Sequence, residues 1–320
     1  MVLLSDILLS SEVSITLFIE FLLFLLLLVA VFHTLLILKK WDKLSSQEQQ
    51  YKLEKKSYLV LSIISLSLVV KVILLPFFIY TLNELSAIIP GAMCGAGVIE
   101  VNRYGEITLV LKSIIIILIL LWTSLNKEDQ IAKNNPYFEK KMWFFIIIFI
   151  LITLELILEL LYFTNISTLE PVLCCSTIYK NENGLNPIPL NLSIGQLVFL
   201  FYALFIFIII SLHFKKSYLI LPFSMLYSYF SYYAIVYFFS PYIYQLPTHK
   251  CLFCMFQSDY NYIGYFIFIS LFMATFYALK SAIFNFAKDS FKKAIIFYIL
   301  STLFISLFFV IYLLKNGIFL

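Results

Sequence analysis

Apolar runs long enough to cross a bilayer recur eight times along the chain, near 13–38, 57–82, 107–125, 142–163, 195–214, 218–243, 261–284 and 293–314. A span needs about 20 mostly apolar residues to cross about 30 Å of hydrocarbon. Lipid offers the backbone no hydrogen-bond partner, so each run must satisfy its own amides, which a helix does; no run alternates as a barrel strand would. The expectation is an all-α fold, a polytopic transmembrane helical bundle of about eight spans, forming a single integral-membrane domain over 1–320. Composition agrees. Only 12% of the residues are charged and 62% are hydrophobic, whereas a soluble domain carries about 25% charged residues. Too little polar surface is available to cover a water-soluble globule. A soluble enzyme, a secreted disulfide scaffold, a disordered tail and a nucleic-acid-binding domain are excluded, and the first partner is the lipid bilayer. The first run is expected to be a span rather than a cleaved signal peptide, because residues 1–12 hold Asp6 and Glu12 and no basic residue.

The lysines set an expected orientation. Lys39, Lys40, Lys43, Lys52, Lys55, Lys56, Lys127, Lys133, Lys140, Lys141, Lys215, Lys216, Lys280, Lys288, Lys292 and Lys293 fall on one side of an eight-span chain. Arg103, Lys180, Lys250 and Lys315 fall on the other. Basic residues accumulate in cytoplasmic loops, so both termini are expected on the trans side, periplasmic or extracellular. A bacterial inner (plasma) membrane is the expected location. The trans loops lie near 83–106, 164–194 and 244–260. The cytoplasmic loops, 41–56 and 126–141 among them, are expected to be short and polar, without a phosphate-binding or catalytic motif. Pro76 and Pro222 are expected to kink the second and sixth spans. Asn165 and Asn191 match the glycosylation pattern and are read as chance matches.

All five cysteines, Cys94, Cys174, Cys175, Cys251 and Cys254, fall in those trans loops. Cysteine usually behaves as a small buried hydrophobe, so random placement would have put most of them in spans. The first sits in Pro90-Gly91-Ala92-Met93-Cys94-Gly95-Ala96-Gly97, a small-residue turn with a thioether beside a thiol. Cys174-Cys175 is a vicinal pair. The third group reads His249-Lys250-Cys251-Leu252-Phe253-Cys254, a C-x-x-C with a histidine two residues upstream. Two sulfurs within one turn suit either a reversible disulfide or two ligands on one soft metal. Structural disulfides are the plainer alternative in an oxidising compartment. An odd cysteine count and a vicinal pair, which bridges only with strain, argue against them.

Five ionisable residues fall within the spans: Glu20, Lys71, Lys112, Glu155 and Glu159. Charges at such depth are costly and tend to be paired. Counted along the helices, none lies in the cytoplasmic half, and Glu155 and Glu159 share a face at i, i+4. Three acids and two bases are expected to form one network beneath the cysteine loops. Interhelical salt bridging and a proton relay or cation site are both open readings.

The C-x-x-C beside a span resembles that of membrane thiol oxidoreductases of the disulfide-forming and vitamin K epoxide reductase type. The resemblance covers only those few residues. It implies a four-helix bundle working with a quinone, whereas this chain has eight spans and a vicinal pair those proteins do not need, so no site residue is carried over.

Three functions remain in view. In the first, Cys94, Cys174, Cys175, Cys251, Cys254, His249 and Met93 gather as soft ligands for copper or zinc, over the intramembrane Glu/Lys network, and the metal is exchanged with a soluble trans-side carrier. In the second, Cys251 and Cys254 exchange disulfides with a thiol carrier, Cys174 or Cys175 resolves the mixed disulfide, and electrons pass to or from a membrane quinone. In the third, the chain is a scaffold or permease-like subunit beside other membrane subunits, with cysteines that brace loops. The first two require the outward connectors to converge.

Overall fold

The computed structural model of the protein describes residues 7–41, 48–132, 135–167, 171–172, 188–247, 249–284 and 286–319. The regular structure among them is helical. Among the described residues, eight helices are long and apolar enough to cross a membrane: Ser11–Lys40, Gln50–Leu85, Arg103–Ile131, Phe138–Thr164, Ile194–His213, Ser217–Tyr244, Ile263–Ile283 and Ser290–Asn316. Each coincides with one of the expected runs, so the chain is a multi-pass membrane protein. The helices divide between two compact units, Met1–Val172 and Leu173–Leu320, with four spans in each.

The first unit contains α1 (Ser11–Lys40), α2 (Glu48–Leu85), a short α3 (Gly95–Ile99), α4 (Arg103–Ile131) and α5 (Phe138–Thr164). The α1 helix packs on α2 and α5, and α4 packs on α5 and α2. Glu20, Leu23, Leu27, Ala30, Thr34 and Ile37 form the buried stripe of α1 at helical spacing. Phe18, Phe21, Leu25 and Phe32 on its other faces are exposed, as lipid-facing side chains are. Leu27, Ile64, Leu68, Ile115, Trp122, Phe145 and Ile152 form part of the core between the four spans.

Two expected connectors are shorter than the sequence implied. The α2 helix starts at Glu48 and α4 runs to Ile131, because Glu, Gln and Lys continue a helix well past its apolar stretch. An i, i+4 pair between Lys52 and Glu48 at 2.6 Å supports the extension of α2. The turn into α5 is locked by buried polar contacts. Lys141 Nζ pairs with Asp129 Oδ2 at 2.7 Å and donates to Asn126 Oδ1 at 3.1 Å. Trp122 Nε1 donates to the Lys141 carbonyl at 2.8 Å, and the Tyr137 amide donates to Asp129 Oδ1 at 2.6 Å.

At the opposite end, α3 is tied down over the helix bundle. Tyr162 Oη donates to the Val98 carbonyl at 2.8 Å. Asn102 donates to the Tyr162 carbonyl at 3.1 Å, and its side-chain oxygen caps α4 at the Tyr104 amide. Gly105 is needed here, since a Cβ would collide with the Ile99 carbonyl and lie 2.8 Å from the Tyr162 ring. Gly91, at φ +79°, makes the left-handed turn that brings the Pro90 carbonyl to the Val172 amide at 2.9 Å.

The second unit contains α6 (Ile194–His213), α7 (Ser217–Ala234), a π turn over Ile235–Phe239, α8 (Ser240–Tyr244), α9 (Ile263–Ile283) and α10 (Ser290–Asn316). Here α7 packs on α6 and α9, and α10 packs on α9 and α6. A capping box of Ser193 and Gln196 starts α6. Pro222 sits inside α7 without interrupting it. The irregular stretch falls ahead of Pro241 instead, which lacks the amide that Tyr237 O would accept and crowds that carbonyl. Widening to a π turn relieves this, and Ser240 Oγ takes up the Ile235 carbonyl at 2.7 Å.

Candidate functional site

All four long helices of the first unit deliver a charged side chain to one buried point. Glu20 and Lys112 lie nine residues after the starts of α1 and α4, and Glu155 nine residues before the end of α5. At 1.5 Å per residue, these three stand about 14 Å below the same end of the unit. Lys71 reaches them from α2. Its ammonium pairs with Glu20 Oε2 and Glu155 Oε2. Lys112 pairs with Glu155 Oε1, with Glu159 Oε2 at 2.9 Å and with Glu20 Oε1 at 3.1 Å. All five side chains are buried. The Lys112 ammonium also lies 4.7 Å from the centre of the Phe78 ring, a cation–π contact that helps hold the charge away from water. A cavity of about 10 Å³ lies beside the two lysines, lined also by Leu75, Ile115 and Ile116. The expected network exists, and it includes every residue assigned to it from sequence.

In the second unit the C-x-x-C occupies a turn between α8 and α9. Cys254 falls in a 3-10 turn over Phe253–Phe256. The sulfurs of Cys251 and Cys254 lie within 4.8 Å of one another and both residues are buried. No disulfide is formed among the described cysteines. Aromatic groups build the wall behind the turn. Tyr244 Oη donates to the Cys251 carbonyl. The Tyr244 ring meets His249 edge-on at 4.2 Å and Tyr260 at 4.5 Å. Burial, followed by the charges that Cys254, Asp259 and Cys251 would carry, holds the Tyr260 hydroxyl above the usual phenol range. Met255 is fully buried against Gly264, whose Cβ would meet Met255 at about the distance of a clash.

Cys94 is buried at the N-cap of α3 in the first unit. Met93, its neighbour, is 79% exposed. Cys174 and Cys175 lie outside the described residues. His249 packs as a ring against tyrosines.

No match was found among protein families, curated proteins or solved structures.

Sequence reasoning missed two features. Lys141 closes an expected polar connector, yet it is buried one turn into α5. Asp129, eight residues ahead of the Tyr137 it caps, was the available signal. A seam of hydroxyl contacts through the second unit was also missed, joining Tyr227 to Thr302, Ser228 to Thr275 and Tyr202 to Ser306, each at 2.8 Å. Its only sequence trace is the density of Ser, Thr and Tyr in spans that could have been wholly aliphatic.

Proposed function

We propose that the protein handles a soft transition metal through the Cys251–Cys254 dithiol, at a trans-facing connector of a plasma-membrane protein, with copper or zinc as the cargo. The observation that carries this reading is the pair of buried sulfurs within 4.8 Å of one another. Two sulfurs on one tetrahedral zinc at about 2.3 Å each would be about 3.8 Å apart, inside that bound. Thiolate is a soft ligand and favours copper(I) and zinc over hard cations. A buried site behind Tyr244 and Tyr260 keeps water from competing for the ion. The bias of lysines to one set of connectors supports placing this turn outside the cytoplasm, where a soluble carrier would deliver or collect the ion.

The test is metal binding by the purified full chain. One copper(I) or zinc per chain is expected, displaced by thiol alkylation. Cys251→Ser and Cys254→Ser should each abolish it while leaving the helical signal unchanged. Metal binding that survives both substitutions sinks the proposal.

The same sulfur separation favours a second reading, a thiol–disulfide exchange site. One thiolate would attack a partner disulfide, release the partner's other sulfur as thiolate and form a mixed disulfide, which the second cysteine resolves. A membrane quinone would then reoxidise the dithiol by accepting its two electrons and two protons. Cys254→Ser should trap the mixed disulfide if Cys251 attacks first. No trapped adduct, together with stoichiometric metal, decides for the first reading.

A further inference from the structure

The buried cluster of the first unit is one positive charge short. Two ammonium groups face three carboxylates, and five of the six carboxylate oxygens touch an ammonium. The sixth, Glu159 Oε1, is buried and has no hydrogen-bond partner among the described residues. With every group ionised, the cluster would hold an uncompensated negative charge in an apolar interior, which is strongly unfavourable. Either a proton or a bound cation must offset it.

The surroundings favour the proton. A metal ion at Glu159 Oε1 would find one oxygen not already held by a lysine. It would also face the Lys112 ammonium, 2.9 Å from the other oxygen of the same carboxylate. The cavity alongside is about 10 Å³, and apart from the two lysines its walls are Leu75, Ile115 and Ile116, which offer no oxygen ligand. A proton needs no coordination shell. The carboxylate oxygens of Glu20, Glu155 and Glu159 include a set within 4.8 Å of one another, so a carboxyl proton has acceptors nearby.

We infer that Glu159 is a proton-binding site: its carboxyl carries one exchangeable proton, held against the Glu155 carboxylate one turn away. The groups facing it are Glu20 from α1, Lys71 from α2, Lys112 from α4, and Glu155 and Tyr162 on its own helix. Tyr162 Oη is committed to the Val98 carbonyl. Glu159 stands five residues from the end of α5, about 7.5 Å along the axis, the shallowest acid of the three. Loading takes one proton from water and makes the cluster neutral; unloading returns it and leaves one negative charge. No electron moves. The assignment rests on the first unit alone and is independent of the thiol turn, so failure of either leaves the other standing.

The experiment is infrared spectroscopy of the full chain in lipid nanodiscs at neutral pH. One protonated-carboxyl C=O band per chain is expected, moving to lower frequency in heavy water and vanishing in Glu159→Gln. The neutral amide replaces the neutral acid, so that variant should fold with an unchanged thermal midpoint. If it does not fold, Glu159→Asp must instead displace the band. Absence of the band in the unmodified chain overturns the inference, and a thermal midpoint that then rises with sodium or potassium assigns a cation. A band that ignores heavy water, or that Glu159→Gln and Glu159→Asp leave in place, overturns it equally.

Discussion

Lys112 makes more ionic contacts than any other residue of the buried cluster, reaching Glu20, Glu155 and Glu159 from α4. Removing it would strand negative charge where water cannot reach. Lys112→Met is expected to destabilise the protein by about 3–5 kcal/mol, read as a lower thermal midpoint in detergent. Adding Glu155→Gln should recover part of that loss, and strictly additive losses would show that the two side chains do not interact. At this scale the sequence was informative for an unusual reason. A charge in an apolar run stands out, so all five members could be named in advance. The unpartnered Glu159 oxygen could not, because it depends on how five side chains share six oxygens in space. The burial of Lys141 was illegible for the converse reason: in a polar connector, one buried lysine looks like its solvated neighbours.

The helices themselves follow from local chemistry, and their ends follow from capping and close approach. Gly105 stands where α4 meets α3, and any Cβ there meets the Ile99 carbonyl and the Tyr162 ring. Gly105→Ala is expected to cost about 1–3 kcal/mol. Gly195, in the first turn of α6, has nothing within 4 Å of an added Cβ. Gly195→Ala should be neutral or stabilise by about 0.4–1 kcal/mol. Thermal midpoints of the two variants check the pair, and equal shifts would contradict the packing described around α3. The thiol turn carries a pH prediction. A thiol must lose its proton to bind metal, so metal affinity should rise with pH until both sulfurs are ionised and fall as pH is lowered. Competition with a chromophoric chelator across the pH range measures this; a flat profile would rule out thiolate ligation. The π turn ahead of Pro241 was legible in principle, since proline removes a helix donor. Pro76 and Pro222 carry the same signal inside uninterrupted helices, so the residue type alone did not say where the helix would yield.

For the molecule as a whole, the eight spans among the described residues predict both termini on one side of the membrane. The lysine distribution predicts that side to be the outside. In a background without native cysteines, Met93→Cys and Gln245→Cys are exposed positions. They should react with an impermeant maleimide on intact cells, and Lys216→Cys only after permeabilisation. The reverse pattern would invert the topology and place the thiol turn in the cytoplasm. The chain also partitions into two compact units of four spans each. No repeated motif marks that division, because a four-helix packing of apolar spans needs only complementary shapes and tolerates many sequences.

The number and helical character of the spans were determined by sequence alone, because a bilayer leaves an apolar run of this length no other way to satisfy its backbone. The same apolarity hid the interior. Lipid and core are equally greasy, so in α1 the buried Leu23, Leu27 and Ile37 look no different from the exposed Phe18, Leu25 and Phe32. Which face turns inward was visible only where a charge such as Glu20 marked it. Tertiary structure alone decided that the four helices of the first unit turn their charges toward one another, that five oxygens are matched and one, among the described residues, is not, and that Cys251 and Cys254 lie buried as a pair. Those outcomes depend on how neighbouring helices rotate and on side-chain rotamers, and neither is written in the order of residues along one helix.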